Sequence, residues 1–203
     1  MRGRFARACA VFQYRRIPCQ RPPTPDPAAC SGDIGHYCIR IALFAFGWER
    51  APASVSAVAH AYAGGNPSDA TATLYYDPTD GDSDVVPHAT FTCSFHSALR
   101  QTVEIAGTRG TLSLDDFVLN RTPECSFSVL IDPATVEFDH QVRSESKRVL
   151  VDTPRGHQES ALWARFAALI RGGKIDSFWP RIAMQTQAVQ VGAVVYSAAE
   201  TSA

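Results

Sequence analysis

The chain has 203 residues, 45% of them hydrophobic, and a formal net charge of −1. That is enough chain for one substantial domain and a tail, and the near-neutral charge makes no case for nucleic acid or an anionic membrane as a partner. No apolar run reaches the roughly 18 residues of a membrane-spanning helix.

Residues 1–24 differ in kind from the rest. Arg2, Arg4, Arg7, Arg15, Arg16 and Arg21 are opposed by no acid, and Pro18, Pro22 and Pro23 disfavour regular structure. The segment is expected to be a disordered or non-native extension. An Arg-rich, acid-poor import peptide is the alternative, weakened by its lack of serine and of a long amphipathic pattern. The six cysteines, Cys9, Cys19, Cys30, Cys38, Cys93 and Cys125, show no C-x-x-C spacing and no zinc-like pairing with histidine. Cys38 and Cys93 fall on apolar faces as buried thiols, which suits a reducing, cytoplasmic compartment.

The first structured stretch is Gly32–Trp48, GDIGHYCIRIALFAFGW. Asp33 stands where a helix N-cap would accept unpartnered backbone N–H groups. Cys38, Ile41, Ala42, Ala45 and Phe46 recur at helical spacing, and Gly47 is a plausible stop. Tyr37 comes four residues after Asp33, so one turn puts carboxylate and phenol on the same side. Such a pair can bind a hydroxyl and move its proton. The same residues also read as a cap and a buried tyrosine.

Strands follow. Ser54–Tyr62 alternates, the turn Ala63–Pro67 reverses the chain, and Ala70–Tyr76 is a second strand. The acidic loop Asp77–Asp84 lacks the glycine position and terminal glutamate of a calcium loop. Across Pro87–Ala98, Ala89, Phe91, Cys93 and Phe95 face one way, and His88, Thr90, Thr92, Ser94 and His96 the other. That second face, polar but uncharged, suits solvent or a partner sheet. Arg100–Ile105 and Thr111–Leu114 form a hairpin closed by Gly107–Gly110, which lacks the third glycine and following helix of a phosphate loop. Phe127–Ile131, Thr135–His140 and Lys147–Val151 read as shorter strands.

The end is helical. A helix with Leu162, Phe166, Leu169 and Ile170 on one face, and Trp163 beside them, stops at Gly172-Gly173. Ile182–Ser197 is the last helix, entered through Pro180. Helix, hairpin-linked strands, then two helices spell an α+β domain: an open, mostly antiparallel sheet with helices packed on one face. No G-x-G-x-x-G is present.

Four stretches in order resemble the carboxy-terminal domain of the Gfo/Idh/MocA oxidoreductases, most closely the plant-type and dihydrodiol-dehydrogenase-like members. They are Asp26-Pro27 with Gly32–Cys38, similar to the family's D-x-G-x-[H/Y] signature; Ala89–Ser97; Glu104–Phe117, similar to its E-I-x-G-x-x-G-x-L hairpin; and Trp179–Ala198. The resemblance covers about residues 25–199. It implies a glyceraldehyde-3-phosphate-dehydrogenase-like C-terminal fold whose helix face meets substrate and whose other face builds a homo-oligomer. It implies that Tyr37 takes the catalytic proton-transfer position and Asp33 the acidic, substrate-orienting one. The reaction implied is NAD(P)-dependent hydride transfer on a carbohydrate or cyclic alcohol.

The chain departs from that pattern in lacking the amino-terminal Rossmann domain and the E-K-P segment with its lysine. Smaller departures are Ala29 in place of the usual glycine and Gly192 in place of the usual aspartate. The implied organisation is therefore an extension over 1–24 and a substrate and oligomerisation domain over 25–203, inactive alone, with no nicotinamide nucleotide expected to bind this chain by itself and no metal. The alternative is a non-enzymatic dimerisation module using the free sheet face. Trp48, Phe178 and Trp179 are candidates for a surface that would meet a Rossmann domain.

Overall fold

A computed structural model describes residues 5–13, 30, 33–48, 50–63, 66–78, 86–119, 125–131, 145–151, 158–174 and 182–201. The elements are β1 (Phe5–Gln13), α1 (Gly35–Phe46), β2 (Ser54–Ala63), β3 (Asn66–Tyr75), β4 (His88–Ser94), β5 (Arg100–Gly107), β6 (Gly110–Asp115), β7 (Cys125–Ile131), β8 (Glu145–Val151), α2 (Gln158–Ile170) and α3 (Ile182–Thr201). The strands form an eight-stranded sheet in the order β2-β3-β4-β1-β5-β6-β7-β8. Every neighbouring pair is antiparallel except β1 and β4, which run parallel. The α+β architecture expected from the sequence is the one observed.

The main correction concerns the amino-terminal segment. Far from being an extension, Phe5–Gln13 is a strand inside the sheet, with Arg7↔His88 to Gln13↔Ser94 on one side and Arg7↔Ala106 to Gln13↔Arg100 on the other. Ala8 and Ala10 of this strand are buried. Small alanines give little strand signal by propensity, yet they suit a position directly under a helix. Residues 14–24 lie outside the described residues, as do Thr135–His140 and Asp176–Trp179.

One face of the sheet carries the core. α1 packs on β1 and β4, α3 packs on β2 and β3, and the two helices touch. Cys38, Ile39, Ala42, Leu43, Ala45 and Phe46 of α1 meet Ala8, Ala10, Ala89 and Phe91 within one buried cluster. Ala188, Val191 and Val195 of α3 join Ala57, Ala70, Ala72 and Leu74 in the same cluster. A Cβ built at Gly192 would lie 3.7 Å from Ile39 Cδ1, so this position is where α3 faces α1.

The turns follow their residues. Gly47, at φ 106°, ends α1 and donates its N–H to the Leu43 carbonyl. Gly172, at φ 88°, donates to Leu169, and Gly173 donates to Ala168, closing α2 with the paired bonds of a Schellman cap. Leu162, Trp163, Phe166 and Ile170 on α2 are exposed. Among the described residues no helix is long and apolar enough to cross a membrane.

Candidate active site at the start of the first helix

Asp33 and Tyr37 flank the entry to α1, but not as the sequence predicts. The Ile34 N–H donates to the Cys30 carbonyl at 3.1 Å, so the chain already makes a helical turn ahead of α1. The residue at the N-cap is Ile34, with helical φ −87° and ψ −29°, and no side chain caps the helix. Asp33 is therefore not the N-cap. A capping side chain needs a non-helical backbone to swing back over the first turn, and here the preceding turn is helical too. Asp33 is half-buried, and Tyr37 stands 43% exposed one turn further on. Burial of Cys38, Ile39, Ala42 and Leu43 against the sheet fixes the rotation of α1. That rotation leaves Tyr37 and Phe44 toward solvent.

Two further residues complete this stripe and were not singled out from the sequence. His36 is half-buried and meets the Tyr37 ring edge-on, with centroids 5.9 Å apart. Burial, assisted by the Arg40 guanidinium, holds its pKa below the usual histidine value. His36 is thus a neutral imidazole near neutrality, able to offer one donor and one acceptor. Arg40 lies with its Cζ 5.5 Å from the Trp48 ring centroid, a cation–π distance that ties the guanidinium to the end of the helix. Trp48 is only partly buried beneath it. The signal was available: Asp33, His36, Tyr37 and Arg40 stand at i, i+3, i+4 and i+7, one face of a helix. Together they bring a carboxylate, an imidazole, a phenol and a guanidinium to the start of the helix.

The opposite sheet face has its own order. His60 Nε2 is 3.1 Å from Thr71 Oγ1, Thr71 pairs with Thr92 at 3.2 Å, and Thr73 pairs with Thr90 at 3.1 Å. Tyr75 lies against His88, and Arg7 bridges Glu104 at 2.8 Å. His88, Thr90 and Thr92 hold the half-buried positions expected of them. Ser94 does not. It is buried and donates to Asp69 at 2.9 Å. His96 has left the strand and takes Ser68 at 2.8 Å as its partner. Of the five residues read onto this face, Ser94 is the one that is buried, and His96 lies beyond the end of the strand.

Gly107 and Gly110 pair across β5 and β6, with Thr108 and Arg109 exposed at the hairpin tip and a strand, not a helix, after them. A phosphate-cradling turn needs a helix N-terminus aimed at the ligand, so these residues do not fit a nicotinamide nucleotide. Among the described residues no group of histidine, cysteine, aspartate or glutamate side chains is placed to hold a metal ion.

The architecture is shared with solved sugar-active dehydrogenases. UDP-N-acetylglucosamine 3-dehydrogenase GnnA from Acidithiobacillus ferrooxidans matches with a TM-score of 0.67 at 15% identity, over 98% of this chain and 56% of that one. Levoglucosan dehydrogenase in complex with NADH matches with a TM-score of 0.67 at 15% identity, over 98% and 57%. KijD10, a 3-ketoreductase from Actinomadura kijaniata in complex with TDP-benzene and NADP, matches with a TM-score of 0.58 at 19% identity, over 98% and 52%. No known family profile matches the sequence. At such identities what is shared is the fold. The chain spans about half the length of the structures it matches.

Proposed function

We propose that this chain is the substrate-binding half of an NAD(P)-dependent oxidoreductase of the Gfo/Idh/MocA type, acting on a sugar or related cyclic alcohol. The observation that carries the reading is the start of α1. It presents Asp33, His36, Tyr37 and Arg40 from a fold shared with UDP-N-acetylglucosamine 3-dehydrogenase and levoglucosan dehydrogenase. In this reading Tyr37 donates to, or accepts from, the reacting hydroxyl, and Asp33 orients a neighbouring hydroxyl by accepting its hydrogen bond. The nicotinamide supplies hydride chemistry in the complete enzyme. Calorimetric titration of the chain with UDP-N-acetylglucosamine, levoglucosan and NADP tests the reading. Sugar binding weakened at least tenfold in Asp33→Asn and Tyr37→Phe supports it. Sugar binding that both variants leave unchanged sinks it, and NADP binding refutes the division of labour.

A second reading rests on the uncharged Thr71, Thr73, Thr90 and Thr92 face, which suits a homodimer built sheet to sheet. Sedimentation equilibrium of the wild type and of Thr90→Lys tests it. A monomer in both cases removes it.

A further inference from the structure

Two sulfurs that the proposed site does not use lie side by side in the core. The Cys93 thiol is directed at Cys30 with the sulfurs 3.5 Å apart, and it also lies 3.8 Å from the Ala70 carbonyl oxygen. Both cysteines are fully buried, and 63 positions separate them in the chain. They belong to different parts of the fold. Cys30 opens the helical turn that carries Asp33, since its carbonyl accepts the Ile34 N–H. Cys93 sits in β4, on the face beneath α1. Two cysteines in a core often act only as small apolar side chains. That role does not require their sulfurs to meet.

We propose that Cys30 and Cys93 form a redox-convertible pair, which a peroxide joins into a disulfide that pins the turn carrying Asp33 to β4. A disulfide bond is about 2.05 Å long, so the sulfurs must close by roughly 1.5 Å. Cys30 is the first nucleophile, because it is the sulfur toward which Cys93 directs its S–H. The Cys30 thiolate attacks one peroxide oxygen. The O–O bond breaks, and the leaving hydroxide takes up a proton as water. Cys30 is then a sulfenic acid. The Cys93 sulfur attacks it, the S–O bond breaks, and the Cys93 proton leaves with the hydroxyl as a second water. Two electrons pass from the two thiols to the peroxide, which is reduced to two waters. The hydrogen bond to Cys30 and burial push the Cys93 thiol pKa well up in the reduced pair. Burial of both sulfurs also favours a small oxidant over a bulky disulfide such as oxidised glutathione. The proposal stands independently of the oxidoreductase reading, because the tether constrains this turn whether or not Asp33 meets a substrate.

The test is hydrogen peroxide treatment of the whole native chain, quenched by iodoacetamide and digested with chymotrypsin without reductant. Cleavage after Tyr37 separates Cys30 from Cys38, and oxygen gained at Met184 shows that peroxide was active. The expected result is a Cys30–Cys93 linked peptide, absent from Cys30→Ser and Cys93→Ser and retained in Cys38→Ser. The oxidised chain unfolds at a higher urea midpoint than the reduced one, because the cross-link closes a long loop in the unfolded state. Cys93 recovered as the unlinked thiol while Met184 is oxidised overturns the proposal. So does a Cys30–Cys38 link, or a link that forms only in urea. Should Cys30→Ser or Cys93→Ser fail to fold, the wild-type and Cys38→Ser maps still decide it.

Discussion

Tyr76 stacks on Phe46 with ring centroids 4.5 Å apart and 23° between the ring planes, and its buried hydroxyl has no hydrogen-bond partner among the described residues. The ring joins the end of β3 to the end of α1. An unsatisfied buried polar group costs about 1–3 kcal/mol, so Tyr76→Phe is expected to stabilise the fold by about 1 kcal/mol. Burial also pushes the phenol pKa up to about 12 from 10, with Arg50 pulling weakly the other way. A pKa raised on folding gives stability that is whole below pH 10 and lost between 10 and 12. Chemical denaturation across that range should show a loss of about 2 kcal/mol in wild type that is missing in Tyr76→Phe. Equal alkaline slopes in the two proteins would refute the assignment.

His36 gives the opposite sign. Its pKa is lowered on folding by burial and by Arg40, so the unfolded chain takes up the proton more readily. The stability it contributes is whole above the unfolded value of about 6.5 and is lost as pH falls below it, toward the folded value. His36→Gln removes this group without adding a charge. Urea midpoints at about pH 7.5 and about pH 5 should therefore lie closer together in the variant than in wild type. An unchanged gap between the two midpoints would show that His36 is not the acid-sensitive group.

Gln101 should behave as a fastener. Its side chain is fully buried. Its Oε1 accepts the Leu119 N–H at 2.7 Å, while its Nε2 donates to the Leu119 carbonyl and, at 3.3 Å, to Asp116 Oδ1. Asp116 sits at φ 57°, left-handed backbone that an aspartate tolerates better than most residues. This amide thus holds the exit of β6 in place. Gln101→Leu keeps the volume but strands the Leu119 backbone groups, at an expected cost of about 2–3 kcal/mol. Hydrogen exchange should rise first at Phe117 and Leu119. Destabilisation with no local increase at those amides would count against the fastener role.

The strands legible in the sequence were those whose alternation survives to their ends. Ala89, Phe91 and Cys93 are buried and His88, Thr90 and Thr92 half-buried, as period 2 requires. The reading failed where tertiary partners override the local pattern. Ser94 keeps the parity of the open face yet is buried, because Asp69 stands opposite it in the register. Asp33 had the chemistry of a cap, but a turn of helix before it removed the need. Asn66–Asp69 extend β3 beyond the expected start at Ala70, with register shifts near Ala61 and Tyr62 that no propensity encodes. At the site, Asp33 and Tyr37 were visible as a spacing. His36 and Arg40 share that spacing, but what sets them apart, burial and the Trp48 contact, is visible only in the fold.

β1 supplies the most decisive test, because composition and structure disagree there outright. Arginine-rich flanks and nearby prolines made residues 1–24 read as a disordered or non-native extension. In the fold, Phe5–Gln13 is hydrogen-bonded to β4 on one side and β5 on the other, and Ala8 and Ala10 lie in the main core cluster. Removing the strand would leave two unpaired strand edges facing a gap in the centre of the sheet, with α1 above it. Deleting residues 1–13 is therefore expected to abolish cooperative thermal unfolding, whereas deleting residues 1–4 should leave the midpoint within a few degrees. Ala10→Glu makes the same point with the chain length intact. It buries a carboxylate in the core cluster, where an unpaired charge costs several kcal/mol. A Δ1–13 chain that melts cooperatively at the wild-type temperature would return the amino terminus to the status of an extension.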